Sequence, residues 1–83
     1  MILQVFSVLD KAVLAFLPPF FVRSKGEAIR SFSDACQDKE HQFAKHMTDY
    51  VLMYLGEWDD KSGAFVSCEP ERVVAAHEVA ASE

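Results

Sequence analysis

The sequence predicts an α/β domain of the α+β kind, a two-layer sandwich in which two helices pack on a three-stranded mixed sheet. Three observations lead to this prediction: a length of 83 residues, three apolar runs of strand type, and one capped amphipathic helix. A chain this short forms one domain and not two, so residues 1–83 are taken together. Its composition, 51% hydrophobic and 25% charged, is typical of a packed globular domain. The predicted order is β-α-β-β-α.

The first strand is predicted over residues 2–9. Alternate side chains of a strand point to opposite faces, and here both faces are largely apolar. A strand that is apolar on both sides favours a central place in the sheet.

Residues 10–23 are predicted to form an irregular link. Pro18 and Pro19 fix φ and remove two backbone donors, so this part of the chain is extended or turning. The aromatic residues on either side of the prolines are expected to hold the link against the core.

Residues 25–37 are predicted to form the first helix. Ser24 and Glu27 match the S-x-x-E capping box, in which side chains satisfy the free N–H groups at a helix start. The predicted buried face repeats at helical spacing and comprises Ala28, Ile29, Phe32, Ala35 and Cys36. Arg30 and Asp34, four residues apart, are expected to pair.

Residues 38–49 are polar and are predicted to be irregular, with Phe43 as an anchor in the core. Residues 50–57 are predicted to be the second strand. If the first strand, the first helix and this strand form a right-handed crossover, the two strands are parallel.

The last third of the sequence predicts a hairpin followed by a helix. Residues 59–63 have the composition of a hairpin loop, with Gly63 free to adopt positive φ. Residues 64–67 form the returning third strand. The second helix is expected to open at Glu69-Pro70-Glu71, because proline and acidic residues are favoured in a first turn. Its predicted inner face comprises Val73, Ala76, His77 and Ala80.

The charge is unevenly distributed along the chain. The net charge is −5. Residues 1–33 carry four basic and two acidic side chains, a net +2, whereas residues 34–83 carry four basic and eleven acidic side chains, a net −7. A polyanion is therefore expected to meet the first part of the chain and to be repelled by the second.

The sequence contains no recognisable catalytic or metal-binding motif, and we expect neither an enzyme nor a bound cofactor. His41 and His46 have no paired cysteines or dense carboxylates beside them, which argues against a zinc site. The three glycines are scattered and do not form a phosphate-binding loop. Cys36 and Cys68 are expected to be reduced and in or near the core; a disulfide between them is the alternative.

No run of about 20 uncharged apolar residues occurs, so no membrane span is predicted. The apolar N-terminus lacks the basic leading region of an export signal, and Asp10 and Lys11 interrupt it. We expect a cytoplasmic protein that does not bind membranes.

One dense region combines basic and aromatic residues within 17 positions: Phe16, Phe20, Phe21, Arg23, Lys25, Arg30 and Phe32. Single-stranded nucleic acid is held by cations that neutralise phosphates and by rings that stack on bases. The alternative is that the phenylalanines belong to the core and the cations are ordinary solvated surface. Tyr50, Tyr54 and Trp58, on or beside the second strand, are open to the same two interpretations.

The region from Ala15 to Gly63 resembles the small nonstructural protein of gokushoviruses and related microviruses, bacteriophages with circular single-stranded DNA genomes. The matching blocks are Ala-Phe-Leu-Pro-Pro-Phe-Phe at 15–21, Gly-Glu-Ala-Ile-Arg-Ser-Phe-Ser-Asp at 26–34, Lys-His at 45–46, Asp-Tyr at 49–50, Leu-Met-Tyr-Leu-Gly-Glu-Trp-Asp at 52–59 and Ser-Gly at 62–63. The loop at 21–26 is more basic than is usual in the family, and Met47-Thr48 replaces Pro-Glu.

The resemblance implies a non-catalytic phage protein of the host cytoplasm that binds single-stranded DNA in genome replication or packaging. Arg23, Lys25 and Arg30 are then the expected phosphate contacts, with Phe20 or Phe21 available for stacking, and affinity should fall steeply with salt. The alternative is an adaptor that recruits a viral or host replication protein through the acidic second half of the chain. The sequence leaves the oligomeric state open, and pairing through an exposed sheet edge would give a homodimer.

Overall fold

The computed structural model describes residues 1–81 and consists of one antiparallel sheet with helices on one side. Its elements, in order, are β1 (Ile2–Asp10), β2 (Ala15–Phe16), β3 (Phe20–Val22), α1 (Lys25–Gln37), α2 (Gln42–Lys45), β4 (Tyr50–Asp59), β5 (Phe65–Ala75) and α3 (Ala76–Ala81). The mixed α+β class and the two-layer arrangement agree with the prediction. The predicted numbers of three strands and two helices were wrong, since the described chain has five strands and three helices.

The sheet is antiparallel throughout, so the predicted mixed sheet was also wrong. β1 lies at its centre, as the sequence indicated, with β4 and then β5 on one side and β2 and β3 on the other. The two short strands lie end to end along β1 and are joined by the extended Leu17-Pro18-Pro19 segment.

The crossover through α1 begins at β3 and not at β1, which explains the error in strand direction. β3 and β4 both run antiparallel to β1 and are therefore parallel to each other, with β1 between them. The link at 10–23 was predicted to be irregular, but it contains strands that reverse the chain before α1 begins. This one reversal turns β4 antiparallel to β1.

The core lies between α1, α2 and α3 and one face of the sheet. Alternate residues of the strands enter it, and Phe6 and Leu52 are completely buried. From α1 come Ala28, Phe32 and Cys36, as predicted. Phe43 of α2, the predicted anchor, is buried against Phe32 and Tyr50.

The N-terminus of α1 is capped by Ser24, which is one half of the predicted capping box. The Ser24 hydroxyl accepts a hydrogen bond from the Glu27 amide at 3.3 Å, and Ser24 itself has extended backbone angles. Such a cap typically stabilises a helix by about 1 kcal/mol. The expected ion pair between Arg30 and Asp34 is not formed: in residues 1–81 the ion pairs join Met1 to Asp60 and Arg72 to Glu78.

β5 extends through the segment in which the second helix was predicted to begin. Glu69-Pro70-Glu71 lies within the strand, and the helix begins only at Ala76. Pro70 is accommodated because residues 68–70 bulge away from β4: Ser67 pairs with Gly56 and Glu71 with Tyr54. A proline lacks the N–H of a ladder hydrogen bond, so a bulge on an edge strand is where it fits.

The start of α3 is held by Glu78. Its carboxylate accepts a hydrogen bond from the Ala75 amide at 2.8 Å and pairs with Arg72. The hydrogen bond from the Ala75 amide lowers the pKa of the Glu78 carboxyl most, and the contact with Arg72 lowers it further. Four residues were predicted to form the inner face of this helix. Ala76 is buried as predicted, but His77 is exposed and Val73 belongs to β5. The side chain of Ala80 is not among those that the structure describes.

The two cysteines are free and differ in exposure. Cys36 is buried in the core, and burial raises the pKa of its thiol to about 11. Cys68 lies in the β5 bulge and is exposed, so its predicted place in or near the core was wrong.

This difference predicts selective thiol modification. Because the thiolate is the reactive form, the folded protein at pH 8 is expected to react with Ellman's reagent at Cys68 only. One thiol per chain should titrate in buffer and two in denaturant. Cys68→Ser should abolish the fast reaction; equal rates for both thiols in the folded protein would contradict the burial of Cys36.

Candidate nucleic-acid interface

The side of the sheet that points away from the helices is uncharged and largely apolar along β1, β3 and β4, although Val5, Ser7 and Val51 on this side are buried. Strand alternation places the odd-numbered residues of β1 there, together with Phe21 of β3 and Trp58 of β4. The core cluster that holds the helices contains none of these residues. The positions of β1, β3 and β4 on this side are Leu3, Val5, Ser7, Leu9, Phe21, Val51, Met53, Gly56 and Trp58.

Three aromatic rings form a cluster at one end of this surface. The Phe21 ring lies 5.3 Å from Trp58 and 6.1 Å from Phe65, and Trp58 lies 6.3 Å from Phe65, measured between centroids. Phe21 is 41% exposed and Phe65 is 59% exposed. We call Phe21, Trp58 and Phe65, with the uncharged surface beside them, the aromatic face.

The β4–β5 hairpin explains why these rings meet. Trp58 and Phe65 are cross-strand partners on either side of the loop, so their side chains share a face. Phe21 reaches the same face through the pairing of β3 with β1, where Val5 is its partner. In the loop, Gly63 has φ +74, as the sequence predicted.

Phe65 was missed as a functional candidate in the sequence. In a hairpin, residues equidistant from the loop pair and point to the same side, so the predicted loop at 59–63 would pair Trp58 with Ala64. In the structure Asp59 belongs to β4 and its amide donates to the Ala64 carbonyl, which shifts the register by one residue and pairs Trp58 with Phe65. Phe21 was a candidate and lies in the aromatic face.

Phe20, the other candidate for stacking, faces the helix side of the sheet. It is half-buried, and its ring lies 6.3 Å from that of Phe6. It also lines an apolar cavity of about 170 Å³ with Pro18 and Phe32. Phe20 therefore contributes to packing and is not part of the aromatic face.

The three candidate cations are exposed but do not lie together. Lys25 and Arg30 are both on α1, which turns about 100° per residue. Relative to the buried Phe32, Lys25 is displaced by about 20° and Arg30 by about 160°. Arg30 thus projects away from the sheet, whereas Lys25 projects over its helix side and lines a second cavity, of about 240 Å³, with Gln4 and Tyr54.

Arg23 is the candidate cation closest along the chain to the aromatic face. It follows Phe21 by two residues, which limits the distance between their Cα atoms to about 7 Å. The structure therefore brings one of the three cations near the rings and separates Arg30 from them by the thickness of the sheet and helix layers.

The negative charge of Asp59 and Asp60, at the start of the β4–β5 loop, is partly neutralised. The Met1 ammonium lies 2.6 Å from Oδ1 of Asp60, and this hydrogen bond is the main reason that the pKa of the ammonium is raised. Asp59 accepts a hydrogen bond from the Lys61 amide. These contacts anchor the loop and reduce its negative potential beside the rings.

The histidines have structural or solvated positions. Nδ1 of His41 accepts a hydrogen bond from the Phe43 amide at 3.1 Å and caps α2, while His46 and His77 are exposed. In residues 1–81 no group of three or more His, Cys, Asp or Glu side chains is arranged to hold a metal ion. Nor does any helix in that part of the chain have the length and apolar character to cross a membrane.

A comparison with models of protein families identifies the family of this chain. Residues 3–79 match the family described as phage ORF5 protein. The chain belongs to the phage ORF5 protein family. The match to this family runs from Leu3 in the first strand into α3 and so includes all of the sheet except Ile2, with the aromatic face. No curated protein and no solved structure matches the chain.

Proposed function

We propose that this ORF5 family member is a non-catalytic accessory protein of a gokushovirus-like phage of the Microviridae and that it binds single-stranded DNA on its aromatic face. The observation that carries the proposal is the cluster of Phe21, Trp58 and Phe65 on a sheet face where β1, β3 and β4 contribute no charged side chain. Binding would serve genome replication or packaging in the host cytoplasm, as the resemblance to gokushovirus nonstructural proteins implies.

Stacking is the chemistry that this face offers. A base presents a flat π surface, and stacking on an aromatic side chain contributes about 1–3 kcal/mol per base without regard to sequence. Phe21 and Phe65 are exposed enough to receive bases, and Trp58 supports both rings from the side. An open antiparallel sheet with rings on its free face is a geometry that other single-strand binders use.

Phosphate contacts are few in this arrangement. Arg23 is the nearest candidate, and the net charge of −5 opposes any diffuse attraction of a polyanion. The log–log salt slope for single strands is about −0.7 per phosphate contact. The separation of Arg30 from the rings therefore predicts a slope between about 0 and −1.5, shallower than three converging cations would produce.

The single tryptophan provides a direct test. Titration of the protein with an unstructured oligodeoxynucleotide is expected to quench Trp58 fluorescence, because the bound bases stack beside the indole. Phe65→Ala is expected to weaken binding by roughly 5- to 150-fold, the equivalent of about 1–3 kcal/mol. The measurement is the dissociation constant at several salt concentrations.

Val66→Ala is the matched control. Val66 is adjacent in sequence and 67% exposed, but strand alternation directs it to the other side of the sheet. It should bind the oligonucleotide as the wild type does. Absence of binding at about 50 mM salt, or equal losses in the two variants, would refute the proposed binding surface.

An adaptor function is the second candidate, and the exposed acidic side chains of β5 favour it. Residues 65–72 are all exposed and include Glu69 and Glu71, which would suit a basic surface of a viral or host replication protein. Nuclease-treated pull-downs distinguish the two functions. A specific partner that is retained after nuclease and lost on Glu69→Lys/Glu71→Lys would favour the adaptor.

A further inference from the structure

We propose that the aromatic face also mediates self-association: two copies pack face to face about a two-fold axis, and a DNA strand displaces the second copy. The dimer itself follows from the fold, whereas the competition rests on the proposed DNA binding. The partner in this proposal is a second copy of the chain.

The two sheet edges are poorly suited to dimerisation. On one side, Pro18 and Pro19 interrupt the edge between the short strands β2 and β3. On the other, Pro70 and the bulge at 68–70 interrupt β5. Prolines, bulges and short strands prevent the continuous ladder that edge-to-edge pairing needs. A dimer of this chain therefore needs a different surface.

Charge directs a second copy to the aromatic face. Each copy carries a net −5, so contacts between most surfaces of two copies place like charges together. The face contributed by β1, β3 and β4 has no charged position and presents the exposed Phe21 ring, beside Phe65 of β5. A two-fold contact places this same surface on both sides, so no acidic side chain from these strands enters the interface.

The size of the face predicts a weak dimer. Three strand positions spaced about 4.8 Å apart and ten residues rising about 3.3 Å each define a footprint of roughly 480 Å². The molecule, 39 Å by 25 Å in its two longest dimensions, can present such a footprint. About 950 Å² for the two copies lies just below the usual range for a specific interface, so a weak dimer with a dissociation constant on the order of tens of micromolar is expected.

Sedimentation equilibrium tests the proposal. We expect the wild type to shift from monomer to dimer between about 1 and 100 μM. Phe65→Asp, which buries a carboxylate in the interface, should remain monomeric, whereas Val66→Asp, on the opposite side of the sheet, should dimerise normally. A wild type that stays monomeric throughout this range, or equal dissociation of both variants, would overturn the proposal.

Adding an oligodeoxynucleotide to the dimer tests the competition separately. We expect the dimer to dissociate into copies bound to DNA and the apparent affinity for DNA to fall as the protein concentration rises. A dimer that persists at saturating DNA would overturn the competition. Dimerisation that depends on Phe65 without any DNA binding would refute the proposed function and leave the face-to-face dimer supported.

Discussion

Replacement of Gly56 by alanine is expected to lower the free energy of unfolding by roughly 3 kcal/mol or more. Gly56 has φ +134, which an L side chain rarely adopts, and a Cβ at this position would lie 2.2 Å from the carbonyl oxygen of Val66. The atom in the way belongs to the backbone of β5, so the strands must separate to relieve the contact. Chemical denaturation monitored by Trp58 fluorescence measures the effect.

Two other glycines are matched controls for this substitution. Gly63 also has positive φ, +74, but nothing lies within 4 Å of an added Cβ, so Gly63→Ala should cost only about 1 kcal/mol. Gly26 lies in α1 with ordinary φ and open space, and Gly26→Ala should stabilise the protein by about 0.5–1 kcal/mol. Equal effects at Gly56 and Gly63 would show that backbone conformation, and not the contact with Val66, sets the cost.

The Phe6→Ala substitution is expected to remove about 3–5 kcal/mol of stability. Phe6 is completely buried and packs against Phe20 and Tyr54, with ring centroids 6.3 and 5.3 Å away. Domains of this size have about 4–12 kcal/mol in total, so much of the variant should be unfolded at 37 °C. Thermal unfolding followed by circular dichroism measures the loss.

Phe65→Ala makes the same chemical change at an exposed position and serves as the control. Its cost should be below about 1 kcal/mol because the ring is 59% exposed. A comparable loss at both positions would mean that the aromatic face is part of the folding core. The same variant separates stability from binding, since it should fold normally and bind DNA poorly.

The elements that depend on local signals were predicted well. The capping box at Ser24 and the helical spacing of Ala28 and Phe32 determined α1 to its observed ends. The apolar run at 2–9 determined β1 and its central place, and the glycine at 63 marked the hairpin loop. Each of these signals acts over a few residues, so the sequence alone contains it.

The candidate site was predicted only in part, because its composition depends on which strands pair. Phe20 and Phe21 are adjacent and chemically identical, and only the register of β3 on β1 determines that Phe21 faces outward. Arg30 and Lys25 were grouped with Arg23 by sequence distance, whereas the turn of α1 separates them. Phe65 joined the site through its pairing with Trp58 across the hairpin.

The sequence by itself determined the class of the fold, the first helix and the central strand. The tertiary structure decided the direction of β4, the length of β5 and the membership of the aromatic face. The physical reason is that hydrogen bonds between strands join residues far apart in the chain. A two-residue or three-residue strand such as β2 or β3 has too little pattern of its own and is stable only because β1 lies beside it.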